Sequence, residues 1–241
     1  MPETPVILPI SAPDAIEERS LAIIDAEVPE PRPFTGDKWA IVRRLIHTTA
    51  DFEMLDLARF SEGAVEAGLS ALDVGATIVT DTEMARCAIP TRRLTPFGAS
   101  VRCLLNEPEV VAAAKASGGT RAAAAMDVAL ASLPGPLILA IGNAPTALLR
   151  LLKHLDAGTP PPALVIGMPV GFVNAAESKA LLMTRADVPW ICVSGRKGGS
   201  ALAGATVNAL AILLAGKGEG KMPEKEQEKE QEKMPPAARR G

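Results

Sequence analysis

Four short, almost wholly apolar runs separated by helical patterns constrain this chain most: Ala76-Thr77-Ile78-Val79-Thr80, Leu137-Ile138-Leu139-Ala140-Ile141, Ala163-Leu164-Val165-Ile166 and Trp190-Ile191-Cys192-Val193-Ser194. A strand covered on one face alternates apolar with polar residues. A strand covered on both faces has no wet side, so it reads as apolar throughout. Parallel strands acquire that cover because a crossover helix joins each to the next. The pattern predicts an α/β fold: a single three-layer domain whose mainly parallel, doubly wound sheet is flanked by helices.

The intervening helices carry their own start and stop signals. Pro145 takes a first-turn position in a helix of about Pro145 to His154, with Leu148, Leu151, Leu152 and Leu155 on one side. Another starts near Asn174, where Asn174 and Glu177 have the spacing of a variant capping box. An Ala- and Leu-rich helix spans about Gly199 to Leu214 and is expected to stop at Gly216. Earlier helices are expected over Asp14–Ala26, Lys38–Thr48, Ser61–Leu72, Glu107–Ala116 and Thr120–Leu133. From Lys217 the chain turns to Lys, Glu, Gln, Gly and Pro with no apolar spacing that could bury a face. Residues 217–241 are read as a charged, disordered or transiently helical tail, which leaves 1–216 as the domain.

Charge narrows the partners. The formal net charge is −3 and the pI about 5.6. Without the tail's seven basic and six acidic residues, 18 basic and 22 acidic remain, a formal −4. Such a body is not built for nucleic acid. Residues 1–20 hold prolines and carboxylates where a secretory signal would need a basic segment and an apolar run, so none is expected. The longest apolar stretches, near Leu137–Leu152 and Ala201–Ala215, are interrupted and fall short of the roughly 20 residues that span a bilayer, so no membrane partner is expected. Cys87, Cys103 and Cys192 are odd in number and form no C-x-x-C pair. They are expected as small, buried, reduced thiols of a cytoplasmic protein. With His47 and His154 far apart, no metal-ligand set is visible.

Three successive strands run into glycine-containing loops and then helices: Ile141-Gly142-Asn143-Ala144-Pro145-Thr146, Ile166-Gly167-Met168-Pro169-Val170-Gly171 and Ser194-Gly195-Arg196-Lys197-Gly198-Gly199-Ser200. Parallel strands point the same way, so all three loops are expected at the carboxyl edge of one sheet, where open α/β folds bind ligands. In the third loop, glycines let N–H groups converge at a helix start while Arg196 and Lys197 add charge, a pattern suited to anions; a merely structural tight turn is the alternative. It matches neither the phosphate-binding loop of nucleotide hydrolases nor a dinucleotide fingerprint, and no nucleophile elbow occurs.

His47 lies in Arg44-Leu45-Ile46-His47-Thr48-Thr49. In a helix, Arg44 and His47 share a face, with Val42, Leu45 and Ile46 turned to the core. Histidine is the usual proton donor or acceptor near neutral pH, and a neighbouring guanidinium can hold a carboxylate; from spacing alone, a plain surface or capping histidine is the better reading.

The chain resembles the precorrin-8X methylmutase (precorrin isomerase) family of cobalamin biosynthesis, including its cobalt-precorrin-8 counterpart. The resemblance covers roughly Ala15 to Leu214. It rests on Ile16-Glu17-Glu18-Arg19-Ser20, Arg44-Leu45-Ile46-His47, Asp81-Thr82-Glu83-Met84, Ala140 to Leu148, Gly167-Met168-Pro169-Val170-Gly171-Phe172-Val173, Ala175-Ala176-Glu177-Ser178-Lys179 and Gly195 to Ala201 taken together. It implies a Rossmann-like, cofactor-free isomerase that moves a methyl group between adjacent carbons of ring C in precorrin-8X, giving hydrogenobyrinate by a 1,5-sigmatropic shift. It also implies homodimers with sites close to the interface. The family's catalytic histidine falls on His47, and its substrate-contacting serine and arginine on Ser20 and Arg44. Thr91 and Arg92 lie in a similar segment and are weaker candidates for substrate contact. Asn143, Arg196, Lys197, Gly198, Gly199 and Ser200 complete the expected substrate-binding set, with no metal. Three features depart from the family: Ala50 stands where a glycine-like residue is expected, Pro29–Pro33 is peculiar to this chain, and the charged tail lies outside the pattern. The competing readings are a corrinoid- or anion-binding carrier using the same loops, and a flavodoxin-like redox protein. The second is disfavoured by 3% aromatic residues and no tyrosine.

Overall fold

Residues 12–219 are described by the computed structural model. The chain opens with a helical hairpin, α1 (Pro13–Glu27) and α2 (Gly36–Thr49), followed by the short α3 (Met54–Leu57), β1 (Ala58–Phe60) and α4 (Ala64–Asp73). Next come β2 (Thr77–Thr80), α5 (Glu83–Cys87), two 3-10 turns at Thr91–Arg93 and Thr95–Phe97, β3 (Ser100–Cys103), α6 (Pro108–Ser117) and α7 (Arg121–Ser132). The last third alternates β4 (Leu137–Ile141), α8 (Pro145–Asp156), β5 (Leu164–Gly167), α9 (Ala175–Met183), β6 (Trp190–Val193) and α10 (Ser200–Glu219).

The six strands form one sheet in the order β1-β6-β5-β4-β2-β3. All pairs are parallel except β1 against β6, an antiparallel edge. Successive residues of the central strands feed two separate cores. Ile138, Ala140, Leu164, Ile166, Ile191 and Val193 pack toward the side of α1, α2, α4 and α10. Leu139, Ile141, Val165, Trp190 and Cys192 pack toward α7 and α8. Burial on both faces is why these strands could be read from their apolar runs. The α/β fold with helices on both sides of a mainly parallel sheet is therefore as expected.

The departures have local causes. β1 and β3 escaped notice because they are short edge strands with exposed or half-buried polar residues, such as Arg59 and Arg102. Asn174 adopts a left-handed conformation and its side chain makes no cap, so the capping box near it does not form. α10 runs through Gly216 to Glu219. By length and composition, its Ser200–Gly218 stretch could cross a membrane, contrary to the shorter apolar run expected; half of that stretch is buried within the protein. Cys87 is exposed instead of buried, while Cys192 is buried and Cys103 half-buried. The tail from residue 220 and the first eleven residues lie outside the described residues.

Candidate active site

On α2, Val42, Leu45 and Ile46 are buried, which turns Arg44 and His47 to the flank that faces α1. Ser20 Oγ lies 2.7 Å from His47 Nδ1. One turn earlier on α1, Glu17 Oε1 accepts a hydrogen bond from Arg44 Nη2 at 2.6 Å. Two polar pairs thus stack turn on turn between the helices. The bond from Arg44 holds the Glu17 carboxyl below its ordinary range; partial burial works against it, and the charges of Arg93 and His47 add to it. The contact with Ser20 also sets what His47 can do. With the hydroxyl donating to Nδ1, the ring is neutral and offers Nε2–H as a hydrogen-bond donor. With Nδ1–H donating to the hydroxyl, a bare Nε2 can take a proton, and the imidazolium so formed can give it back.

The end of α2 brings this pair to the sheet edge. Ala50 closes the helix in a left-handed conformation, φ 51° and ψ 34°. Beyond it, Asp51 and Glu53 both take the ammonium of Lys197 from the β6–α10 loop.

At that edge the three glycine loops behave as one body. Asp81, directly after β2 and 1% exposed, accepts the N–H groups of Gly142, Asn143 and Ala144 at 3.0, 2.7 and 2.5 Å. Burial pushes its carboxyl up while the three N–H donors pull it down. Gly142 has to be glycine, since a Cβ there would lie 2.7 Å from Ser200 Cα; at Gly198 it would lie 2.2 Å from the Met168 carbonyl oxygen. The Gly199 N–H donates to Met168 O at 2.8 Å, the Gly171 N–H to Arg196 O at 3.1 Å, and the Thr82 and Ser200 hydroxyls meet at 2.9 Å.

Among the residues expected at the site, Ser20, Arg44 and His47 form one group, and Asn143, Gly198, Gly199 and Ser200 another. The Lys197–Asp51 contact ties the two together. Thr91 and Arg92 are exposed on the turn beside α10. Arg196 is exposed, with its guanidinium carbon 5.4 Å from the centre of the Phe172 ring. The β6–α10 loop differs from the anion cradle its glycines suggested. The Lys197 charge is met by two carboxylates, the Ser200 hydroxyl is bonded to Thr82, and the Gly199 N–H is taken by Met168. Much of its donor capacity holds the loop itself.

Four contributors were not anticipated: Glu17, Asp81, Thr82 and Arg93. Glu17 sits three residues before Ser20, so a helical-face reading of α1 could have found it. Asp81 and Thr82 follow a strand with no spacing that betrays a role. Arg93 is half-buried and makes no ion pair among the described residues; burial, then the charges of Arg44 and Arg92, draw it below its ordinary value. Glu17, Leu21, Arg43, Arg44, Ala209 and Leu213 line a pocket of about 230 Å³ between α1, α2 and α10. That is smaller than ordinary ligand sites of about 300–1,000 Å³ and suits a side arm better than a whole macrocycle.

The family model for precorrin-8X methylmutase matches residues 15–213. The chain belongs to the precorrin-8X methylmutase family. It is similar to the cobalt-precorrin-8 methylmutase of Salmonella typhimurium, 45% identical over 83% of this chain and 95% of that protein. It is also similar to the precorrin-8X methylmutase of Pseudomonas aeruginosa, 46% identical over 82% and 94%. The crystal structure of precorrin-8X methylmutase from Thermus thermophilus superposes with a TM-score of 0.78 at 51% identity, covering 85% of this chain and 98% of that one. The matched span takes in both groups of site residues and ends at residue 213.

Proposed function

We propose that the protein catalyses methyl migration on ring C of precorrin-8X to give hydrogenobyrinate, with His47 as proton donor and acceptor. The contact between Ser20 Oγ and His47 Nδ1 carries this reading, because a carrier that only holds a pigment has no use for an oriented imidazole. The reaction is an isomerisation, so any proton lent to the macrocycle must be recovered. A histidine whose far nitrogen can give and then take a proton meets that need, and such a group typically contributes about 10²–10⁴ in rate. The substrate is a broad apolar ring fringed by carboxylates. Arg92, Arg93 and Arg196 would receive them, with Arg44 doing so alongside its bond to Glu17, and the glycine loops would hold the ring in a reactive shape.

Relatives named for the metal-free and for the cobalt-containing substrate stand at nearly equal identity, so both forms belong in the assay. The reading extends to a homodimer with its sites near the interface. Supporting it, the β5–α9 loop exposes Phe172 at 83% and Val173 at 78%, large apolar side chains that a second copy would cover. The free cysteines suit a cytoplasmic setting.

The test is anaerobic incubation with precorrin-8X and, in parallel, cobalt-precorrin-8, followed by absorption spectrum and mass. A shifted spectrum at unchanged mass establishes isomerisation. His47→Ala should then lose turnover by at least about a hundredfold while still binding pigment; full turnover in that variant would end the proposed role of His47. Bound pigment with no spectral change in the wild type would favour a carrier.

A further inference from the structure

Lys179, on α9, is the largest side chain that the fold buries completely, at 0% exposure. No carboxylate reaches it among the described residues. Its one hydrogen bond runs from Nζ to the carbonyl oxygen of Lys197, 2.5 Å away. The nearby titratable group is the Cys192 thiol on β6, which burial pushes up to about 12 and so keeps neutral. Burial lowers Lys179 itself to about 8. An ammonium cut off from water and given a single carbonyl costs stability, and an apolar side chain of similar length would fill the same space at less cost. What Lys179 contributes must therefore lie in what it holds.

The carbonyl it holds belongs to the Lys197–Gly198 peptide, in the middle of the β6–α10 loop. On one side the Arg196 carbonyl accepts from Gly171; on the other the Gly199 N–H donates to Met168. Both of those ties are backbone to backbone. The peptide between them precedes two consecutive glycines, whose backbones rotate at little steric cost, so it is the one most able to flip. Lys179 draws its carbonyl inward. In a trans peptide the C=O and N–H point in opposite directions, so the Gly198 N–H is turned away from the interior, and no acceptor among the described residues takes it.

We infer that Lys179 is a positioning residue that locks the Lys197–Gly198 peptide so that the Gly198 N–H faces outward as a donor to a substrate carboxylate. This rests on the β6–α10 loop being part of the corrinoid site. The ammonium behind the carbonyl also polarises the peptide and strengthens its N–H as a donor. The cation acts on the anion through one peptide plane, without touching it.

Lys179→Met separates this role from packing. The variant should unfold at the same or a higher temperature, because a buried charge has been removed. Its KM for precorrin-8X should rise about tenfold, the loss of one N–H to carboxylate bond, with kcat within about twofold of wild type. A KM equal to that of the wild type would overturn the inference, as would a fall in kcat that follows a lowered unfolding temperature. A second readout needs no turnover. In protein labelled with ¹⁵N-glycine, hydrogenobyrinate should move the Gly198 amide resonance strongly downfield in the wild type and leave it in place in Lys179→Met. If the wild type fails to isomerise either substrate, the proposed function falls, and the amide response still decides the lock.

Discussion

His47 takes its orientation from one hydroxyl, which makes Ser20 the most informative small substitution. Ser20→Ala removes a neutral hydrogen bond of about 1 kcal/mol, so kcat should drop about five- to tenfold with KM little changed, as measured by steady-state assay. Glu17 gives a pH signature. Its folded-state carboxyl lies below the unfolded value of 4.5, so its stabilising share is complete above that value and is lost as pH falls through the folded one. Urea midpoints of Glu17→Gln should approach those of the wild type as pH drops from about 6 toward about 3, across the carboxylate range. Ala50 gives the opposite kind of case. A left-handed alanine costs roughly 1–2 kcal/mol, more than the roughly 0.5–1 kcal/mol of chain entropy that glycine forfeits. Ala50→Gly should therefore raise the thermal midpoint slightly. The helical face shared by Arg44 and His47 could be read from spacing, because three residues along one helix are fixed by local geometry. Asp81 could not, because its three N–H partners arrive from a loop some sixty residues away and exist only once the sheet has formed.

At the scale of elements, β4, β5 and β6 announced themselves through side chains buried on both faces, and their loops through glycine. The reasons for those glycines differ and can be tested against each other. Gly198→Ala forces a Cβ to within 2.2 Å of Met168 O, so the backbone of one loop must move. The expected cost is about 1–3 kcal/mol in chemical denaturation, together with weakened pigment binding. Gly216→Ala has nothing within 4 Å, and it lies inside α10 where alanine is the better helix former by about 1 kcal/mol, so it should stabilise. The same residue shows why the helix end was misread. A glycine marks a stop only where the chain turns left-handed, and Gly216 does not appear among the positive-φ glycines.

Across the whole molecule, the sheet divides the apolar interior in two. The half under α1, α2, α4 and α10 carries the Ser20–His47 pair, while the other half supports the loops from behind through α8 and α9. The alternation of helices and apolar runs was enough to infer these layers. The antiparallel β1 edge was not, since three residues leave no period to detect. The charged tail forms no part of the matched family span, so a chain ending at residue 219 should keep its thermal midpoint and its turnover.

The last described helix, α10, is also the one that packs against α2, α4 and α5, burying Leu202, Val207 and Leu210. Synthesis proceeds from the other end. His47 leaves the ribosome about 170 residues before α10 is complete, an interval of ~10–30 s at ordinary elongation rates. During that time α2 and α4 lack the helix against which they pack most extensively, and the Ser200 hydroxyl that Thr82 bonds has not yet been made. A message cut short before this helix would therefore yield a sticky fragment that chaperones or proteases would claim, and the two groups of site residues can come together only after α10 has emerged.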